Sequence, residues 1–316
     1  MSICSLAMAD LLLDMSGMLN DIGFNLDDEL GVANMAEYHY DDGAVYGFPT
    51  KYENSRWILI NEDMFKEAGL DIPYDGWTYS EFLADAEKLT HGEDQDKVYG
   101  VCWARKQSGK SILYALDGVL GANQIYKNEE GTEVNFDNDV YRAGLNLVKE
   151  TLDKGYAIPI EDEFSEDISV ANTFLQGKCA IMLGVAQMRL CMDQENYPHD
   201  FMTALVPAPV PDDEKYNTEF YRKQIGTTGA GDLLSISANT KYPEASFEFA
   251  MWYLKGGMSP LVQGGRIPLW NGVNKDEVLS VLKEKAQGSI DMDSMENYLS
   301  LDTTQGVAAI KGHASS

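Results

Sequence analysis

The sequence predicts an α/β fold, because short apolar runs typical of buried strands alternate with segments of helical spacing. Residues 57–60 are such an apolar run, and the helix that follows is capped by Asn61 and ended by Gly69. Residues 98–103 and 178–183 are two further predicted core strands. A chain of 316 residues, 44% of them hydrophobic, is long enough for two domains.

The first 60 residues contain the stretch around which the chain is organised. Residues 11–19 have the apolar spacing of a helix, which Gly17 interrupts, and residues 25–42 are predicted to be a polar acidic connector. A strand predicted at 46–50 is followed by a polar turn at 51–56 and then by the strand at 57–60. A polar segment held between two rigid elements suits ligand contacts or a hinge.

The remaining elements follow from caps and periodicity. Thr78 and Glu81 form a capping box at the start of one helix, and Gly155 ends an amphipathic helix over 140–152. Further helices are predicted at 112–120, from about 166 to 177, from Pro243 to 254 and at 274–286, and a strand is predicted at 233–237.

The formal net charge of −27 limits the partners of the protein. Nucleic-acid phosphates and anionic lipid would be repelled, so neither is an expected partner, whereas a neutral polyol or sugar is compatible with this charge. No apolar run is long enough to span a bilayer, and the N-terminal residues show neither a convincing signal peptide nor a lipobox at Cys4.

The cysteines and histidines show no spacing of a metal site. Cys4, Cys102, Cys179 and Cys191 form no CxxC pair, and the four histidines lie far apart. Buried free thiols are therefore the preferred interpretation, with a disulfide such as Cys179 with Cys191 as the alternative. Neither a metal nor a cofactor is predicted.

Catalytic motifs are incomplete or absent. Residues 108–111 resemble the end of a phosphate-binding loop, but Ala104 stands where its first glycine belongs. The glycine-rich residues 226–231 precede a predicted strand, whereas a nucleotide loop precedes a helix. The sequence has no HExxH or GxSxG motif, so we expect a protein that is not an enzyme. The 51 acidic residues leave a glycosidase carboxylate pair open as an alternative.

Several segments, taken in order, resemble the extracellular solute-binding proteins, family 1, of sugar ABC importers. The resemblance begins with Gly47-x-Pro49, the apolar strand ending in Asn61 and the helix closed by residues 68–70. It continues through Trp77-Thr78 and, more weakly, residues 174–182, 206–209, 225–231, 234–237 and 242–249. The resemblance implies a periplasmic-binding-protein-like (type II) fold of two lobes, with lobe 1 built from residues 1–50 and 229–270 and lobe 2 from residues 51–228 and 271–316.

Family members normally carry a leader and several strand-helix units before the Gly-x-Pro stretch, which this chain reaches at residue 47. We therefore expect an incomplete N-terminal lobe. The resemblance also implies an extracellular or periplasmic protein, anchored as a lipoprotein in its full-length form.

The resemblance further implies that the chain crosses between the lobes near residues 49–54, 226–232 and 266–271, beside a ligand cleft. Glu53 lies four places after Pro49, as the sugar-contacting acid does in maltose-type members, whereas counting back from Asn61 selects Asn54 instead. Gln187 stands where members often have a stacking aromatic residue. The expected ligand-binding residues are Tyr52, Glu53, Asn54, Trp57, Gln187, Thr228, Gly229, Arg266 and Trp270.

The function implied is that of a monomeric ABC-importer component, which captures a mono- or oligosaccharide between its lobes and delivers it to the membrane permease. A sugar needs partners for its hydroxyls and flat faces for its C–H groups, and the expected residues include both kinds. Two alternatives stay open, a glycoside hydrolase and a ligand-incompetent fragment or adaptor.

Overall fold

The computed structural model describes residues 3–35, 38, 43–54, 56–103, 137–159, 169–223, 230–286 and 288–300. Helices and strands are interspersed along these ranges, and the fold is of the predicted α/β class. The predicted helix at 112–120 and the expected site residues Thr228 and Gly229 lie outside the described residues.

The N-terminal segment contains helices α1 (Ile3–Met8), α2 (Ser16–Asp21), α3 (Leu26–Leu30) and α4 (Val32–Met35). The helix predicted at 11–19 is wrong for residues 11–15, since the Leu13 N–H donates to the Ile236 carbonyl and the Met15 N–H to the Val45 carbonyl, each at 2.8 Å. The connector predicted at 25–42 is wrong in part, because the Asn25 side chain caps α3. The acidic residues of this segment suggested a connector, but Leu26 and Leu30 form an apolar face that α3 buries.

A four-stranded sheet has the order β3-β4-β2-β5. Its strands are β2 (Trp57–Asn61), β3 (Tyr99–Cys102), β4 (Cys179–Leu183) and β5 (Thr203–Pro207). Strand β2 is antiparallel to β4 and β5, and β3 is parallel to β4. The three predicted core strands are thus confirmed, while β5 was not predicted from the sequence.

Helices α5 (Glu62–Glu67), α6 (Tyr79–Leu89), α7 (Asp139–Asp153), α8 (Val170–Leu175), α9 (Met188–Met192) and α10 (Glu219–Arg222) follow in chain order. The predicted caps are confirmed. The Asn61 carboxamide accepts from the Met64 N–H at 3.1 Å, and the Thr78–Glu81 capping box closes with hydrogen bonds of 3.3 and 2.7 Å. Gly69 adopts the left-handed φ of 66° that the predicted helix end requires.

The four-stranded sheet separates two hydrophobic cores, because successive β2 side chains point to opposite faces. Ile58 and Ile60 pack with Phe82 and Trp103 on one face. Trp57 and Leu59 pack on the other face, where helices α12 (Lys275–Ala286) and α13 (Met292–Leu299) supply further apolar residues.

A second sheet, which we call the junction sheet, has the order β6-β1-β7 and consists of β6 (Ala230–Leu234), β1 (Phe48–Tyr52) and β7 (Ile267–Pro268). A third core lies beside it and includes Leu30, Phe48 and Leu254, with residues of helix α11 (Pro243–Trp252). The strand predicted at 233–237 begins three residues earlier than expected, because β6 pairs along the whole length of β1.

Cys102 in β3 and Cys179 in β4 form a disulfide, and Cys191 is a buried free thiol. The preference for free thiols is therefore wrong for two cysteines, and the alternative pairing of Cys179 with Cys191 is wrong as well. Sequence spacing could not show that β3 and β4 are neighbours.

Within the described ranges, no helix has the length and apolar character needed to cross a membrane. The same ranges contain no group of three or more potential metal ligands.

Candidate ligand-binding site at the junction sheet

Three distant segments, each predicted from the sequence as a crossing, meet in the junction sheet. Strand β1 lies in the middle and pairs antiparallel with both β6 and β7, so that Lys51 is opposite Gly231 on one side and Pro268 on the other. Pro49 lies opposite Leu233 of β6, near the start of this strand, so its missing N–H removes one possible bond of the β1–β6 ladder.

One face of the sheet carries a chain of charged side chains, which we call the charged face: Lys51, Glu53, Asp232 and Arg266. The Lys51 ammonium contacts the Glu53 carboxylate and lies 3.6 Å from an Asp232 oxygen, and the Arg266 guanidinium donates to the other Asp232 oxygen. The four charges cancel, although the whole chain is strongly acidic. The attraction between opposite charges holds these side chains close together.

These groups remain accessible to a ligand. The side chains of Asp232 and Arg266 are 40% and 42% exposed, and that of Glu53 is 28% exposed. Carboxylates accept hydrogen bonds, and guanidinium and ammonium groups donate them. The charged face therefore presents both acceptors and donors to a ligand at one place.

Asp232 has a strained backbone at the centre of this face. Its φ of 52° lies in the left-handed region, and its carbonyl accepts a 2.8 Å hydrogen bond from the Thr50 hydroxyl. Non-glycine residues adopt this conformation at a cost of order 1–3 kcal/mol, and such residues cluster at functional sites. In this conformation the Asp232 carboxylate lies beside both Lys51 and Arg266.

Asn54 and Trp57 support the loop from inside the protein. Asn54 is fully buried, and its N–H donates to the Tyr298 hydroxyl at 2.8 Å while its carboxamide oxygen accepts from the Arg56 N–H at 3.1 Å. Trp57 is 2% exposed and its ring meets the Tyr298 ring edge-on, with centroids 5.4 Å apart. Of the two alternatives drawn from the sequence, Glu53 is the residue that lies on the charged face.

Tyr52 lies on the opposite face, because successive strand residues alternate, and Trp270, which follows β7, borders the same cavity as Tyr52. Both line a solvent-open cavity of about 70 Å³, which we call the aromatic cavity. The Trp270 indole N–H donates to Glu29 Oε2 at 2.6 Å, and the Tyr52 hydroxyl donates to the Tyr298 carbonyl at 3.2 Å. Burial raises the pKa of the Tyr52 phenol, so this group stays a neutral donor.

Gln187 lies in a short 3-10 turn over residues 185–187, directly after β4. The turn leads into α9, and the backbone of Arg189 packs so closely on Gly265 that a Cβ there would lie 3.1 Å from the Arg189 Cβ. Residues 187–189 are thereby held beside the segment that carries Arg266. Gly265 also has a φ of 75°, which favours glycine for a second reason.

The sequence between residues 5 and 255 matches the family model described as "Bacterial extracellular solute-binding protein". The chain belongs to this family. The predicted resemblance is thereby confirmed, and the family is one of extracellular binding proteins. No curated protein sequence matches the chain.

Solved structures show what fold this solute-binding protein has. It is similar to a sugar transporter from Rhizobium etli in an open conformation, with a TM-score of 0.67 and 17% identity over 98% of this chain and 73% of that one. It is also similar to an ABC substrate-binding protein from Listeria monocytogenes in complex with cycloalternan, with a TM-score of 0.63 and 17% identity over 93% and 70% of the two chains.

A third structure is an ABC transporter associated binding protein from B. animalis subsp. lactis in complex with β-1,6-galactobiose. Its TM-score is 0.62, at 15% identity over 92% of this chain and 72% of that one. These likenesses confirm the predicted periplasmic-binding-protein-like fold of type II.

Four residues at or next to this candidate site were not predicted from the sequence: Lys51, Asp232, Tyr298 and Glu29. Lys51 was hidden because the strand was predicted to end at residue 50, whereas β1 continues to Tyr52 and places Lys51 on the face of Glu53. Asp232 directly follows the glycine-rich residues 226–231, and that pattern predicts a backbone bend rather than a charged contact. Tyr298 and Glu29 lie more than 240 residues from their partners, so no local signal indicates them.

Proposed function

We propose that this protein is the substrate-binding component of an ABC importer and that it captures a neutral mono- or oligosaccharide at the charged face of the junction sheet. The observation that carries the proposal is the convergence of Glu53, Asp232 and Arg266 from three separate segments. Sugar binding by the similar proteins from L. monocytogenes and B. animalis supports it.

The chemistry of the charged face suits a sugar. Hydroxyl groups leaving water must each be paired, and vicinal hydroxyls match the paired atoms of a carboxylate or a guanidinium. Glu53 and Asp232 accept, Arg266 donates, and the Gln187 amide does both. Thr228 and Gly229 belong to the same proposal as members of the second crossing segment.

The aromatic cavity is less suited to a sugar. The Trp270 indole, the Tyr52 hydroxyl and the Asn271 amide already donate to protein oxygens. A sugar placed there would leave hydroxyls unpaired, at a cost of about 1–3 kcal/mol each. We therefore place Tyr52 and Trp270 in the aromatic cavity, and not in contact with the carbohydrate.

Two lobes joined at the junction sheet would close on the ligand. Residues 1–50 with 229–270 form the first lobe and residues 51–228 with 271–316 the second. Only the closed form lets both lobes contact the sugar, so the sugar favours closure. A permease then recognises the closed monomer and receives the sugar.

Titration with a panel of neutral mono- and oligosaccharides and alditols, read by calorimetry and melting temperature, tests the proposal. A matching sugar at 100 times its Kd stabilises the fold by about 2.7 kcal/mol. Glu53→Gln lowers the affinity at least tenfold, whereas Glu244→Gln, in the first turn of α11, leaves it unchanged.

Absence of any response across the panel, or an unchanged affinity in Glu53→Gln, would count against the proposal. Release of reducing sugar during incubation with oligosaccharides would favour the hydrolase alternative instead.

A further inference from the structure

The aromatic cavity has no role in the proposed carbohydrate binding, yet its walls are well defined. The rings of Tyr52 and Trp270 form part of it, and Ile267, Leu269 and Val278 supply apolar surface. All three aliphatic side chains are less than 8% exposed, so the walls are fixed by the surrounding cores. The cavity is a preformed apolar space.

Lys275 gives this cavity its electrostatic character. Lys275 is the only charged residue among the described residues that line the cavity, and no carboxylate is among them. It is the first residue of α12, is exposed, and makes no ion pair with any residue in the described part of the chain. Asp276 and Glu277 follow Lys275 in the first turn of α12 but do not line the cavity, so Lys275 is the charged group that the lining offers to a ligand.

We propose that the aromatic cavity binds a small aromatic monocarboxylate, with its ring against Trp270 and the apolar wall and its carboxylate on the Lys275 ammonium. An offset or edge-on contact with the Trp270 indole adds to the stabilisation that burial of the ligand ring provides. A charge-assisted hydrogen bond to Lys275 then fixes the orientation of the ligand.

Other ligand classes fit less well. A cation would be repelled by Lys275, and a polyanion would be repelled by the net charge of the whole protein. A sugar would find the donors of Tyr52 and Trp270 already occupied. A neutral aromatic molecule would fill the same apolar space but would lack the bond to Lys275, so it should bind more weakly.

Calorimetric titration with phenylacetate and with the neutral benzyl alcohol tests this inference. We expect saturable binding of phenylacetate to the wild-type protein and an at least fivefold loss of affinity in Lys275→Ala. The matched control Lys283→Ala, in the last turn of the same helix, should bind phenylacetate as the wild type does. Benzyl alcohol should bind both variants equally.

A filling variant and a site control complete the experiment. Val273→Trp places a ring inside the cavity and should abolish phenylacetate binding, while Glu53→Gln should leave it unchanged because Glu53 lies on the opposite face. The inference is overturned if the wild type shows no saturable binding of phenylacetate, if Lys275→Ala binds it as tightly as the wild type, or if Glu53→Gln abolishes its binding. Failure of carbohydrate binding would leave this result untouched.

Discussion

Tyr298 connects the last described helix to the turn that carries Glu53. It is 1% exposed, and its hydroxyl accepts the Asn54 N–H. Tyr298→Phe removes this buried hydrogen bond, which should lower the free energy of unfolding by about 1–3 kcal/mol. Urea unfolding measures the loss, and the loosened turn should also weaken carbohydrate binding.

Tyr242→Phe is the matched control for Tyr298→Phe, because the Tyr242 side chain is 71% exposed. Its free energy of unfolding should stay within about 0.5 kcal/mol of the wild-type value. Equal stability of the two variants would show that the Tyr298 hydroxyl does not hold the turn.

Asp85 on helix α6 has an unfavourable environment for its charge. Burial raises the pKa of its carboxyl to about 6, from an unfolded value near 3.9. A group with a raised pKa stabilises the folded state below its unfolded pKa and loses that contribution as the pH rises through the folded pKa. The ionised form at neutral pH is therefore the destabilised one.

Asp85→Asn should consequently raise the free energy of unfolding at pH 8 by about 1 kcal/mol, a figure reduced because the side chain is half-buried and partly screened by water. The difference from the wild type should be much smaller at pH 4, where Asp85 is neutral in the folded protein. Unfolding curves at the two pH values measure it, and a gain of the same size at both would contradict this account of Asp85.

At the scale of elements, helix α6 lies directly on strand β3. A Cβ built on Gly100 would stand 2.3 Å from the Ala86 carbonyl oxygen, so the helix and strand backbones are in contact there. Gly100→Ala forces the two elements apart and should cost about 1–3 kcal/mol in chemical denaturation.

The control for Gly100→Ala is Gly17→Ala in α2, where an added Cβ meets nothing within 4 Å. That variant should be more stable than the wild type by about 0.5–1 kcal/mol, because alanine is the better helix former. A stable Gly100→Ala protein would contradict the close packing of α6 on β3.

Elements were predictable where the signal is local. Asn61, Gly69 and the Thr78–Glu81 capping box act within one helical turn, and the structure forms each as the sequence predicts. The helix prediction for residues 11–15 was wrong, because a periodic apolar pattern does not show that their backbone N–H groups donate to the carbonyls of residues 45 and 236. Tertiary pairing overrode the local preference there.

At the scale of the whole molecule, the family resemblance rather than any local signal indicated that the three segments of the junction sheet meet. The division of the site into two faces could have been predicted from strand alternation, had β1 been extended to Tyr52. Once it is, Lys51 and Glu53 fall on one face and Tyr52 on the other. The ion pairs of Asp232 join residues 181 and 34 positions apart, which no spacing rule supplies.

The Cys102–Cys179 disulfide links the two parallel neighbours of the four-stranded sheet across 77 residues of sequence. Closing a loop of that length in the unfolded chain should stabilise the fold by about 4 kcal/mol on the chain-entropy account. The double variant Cys102→Ser with Cys179→Ser should therefore unfold at lower urea concentration, and wild-type protein treated with dithiothreitol should match it.

Alkylation of denatured protein followed by peptide mass analysis should label Cys102 and Cys179 only after reduction. A bond of this kind persists in the oxidising compartments where an extracellular family works, so protein secreted in its native form should carry it while reduced protein should be the less stable species. Identical unfolding of oxidised and reduced protein would show that the two strands are held by their ladder and cores alone.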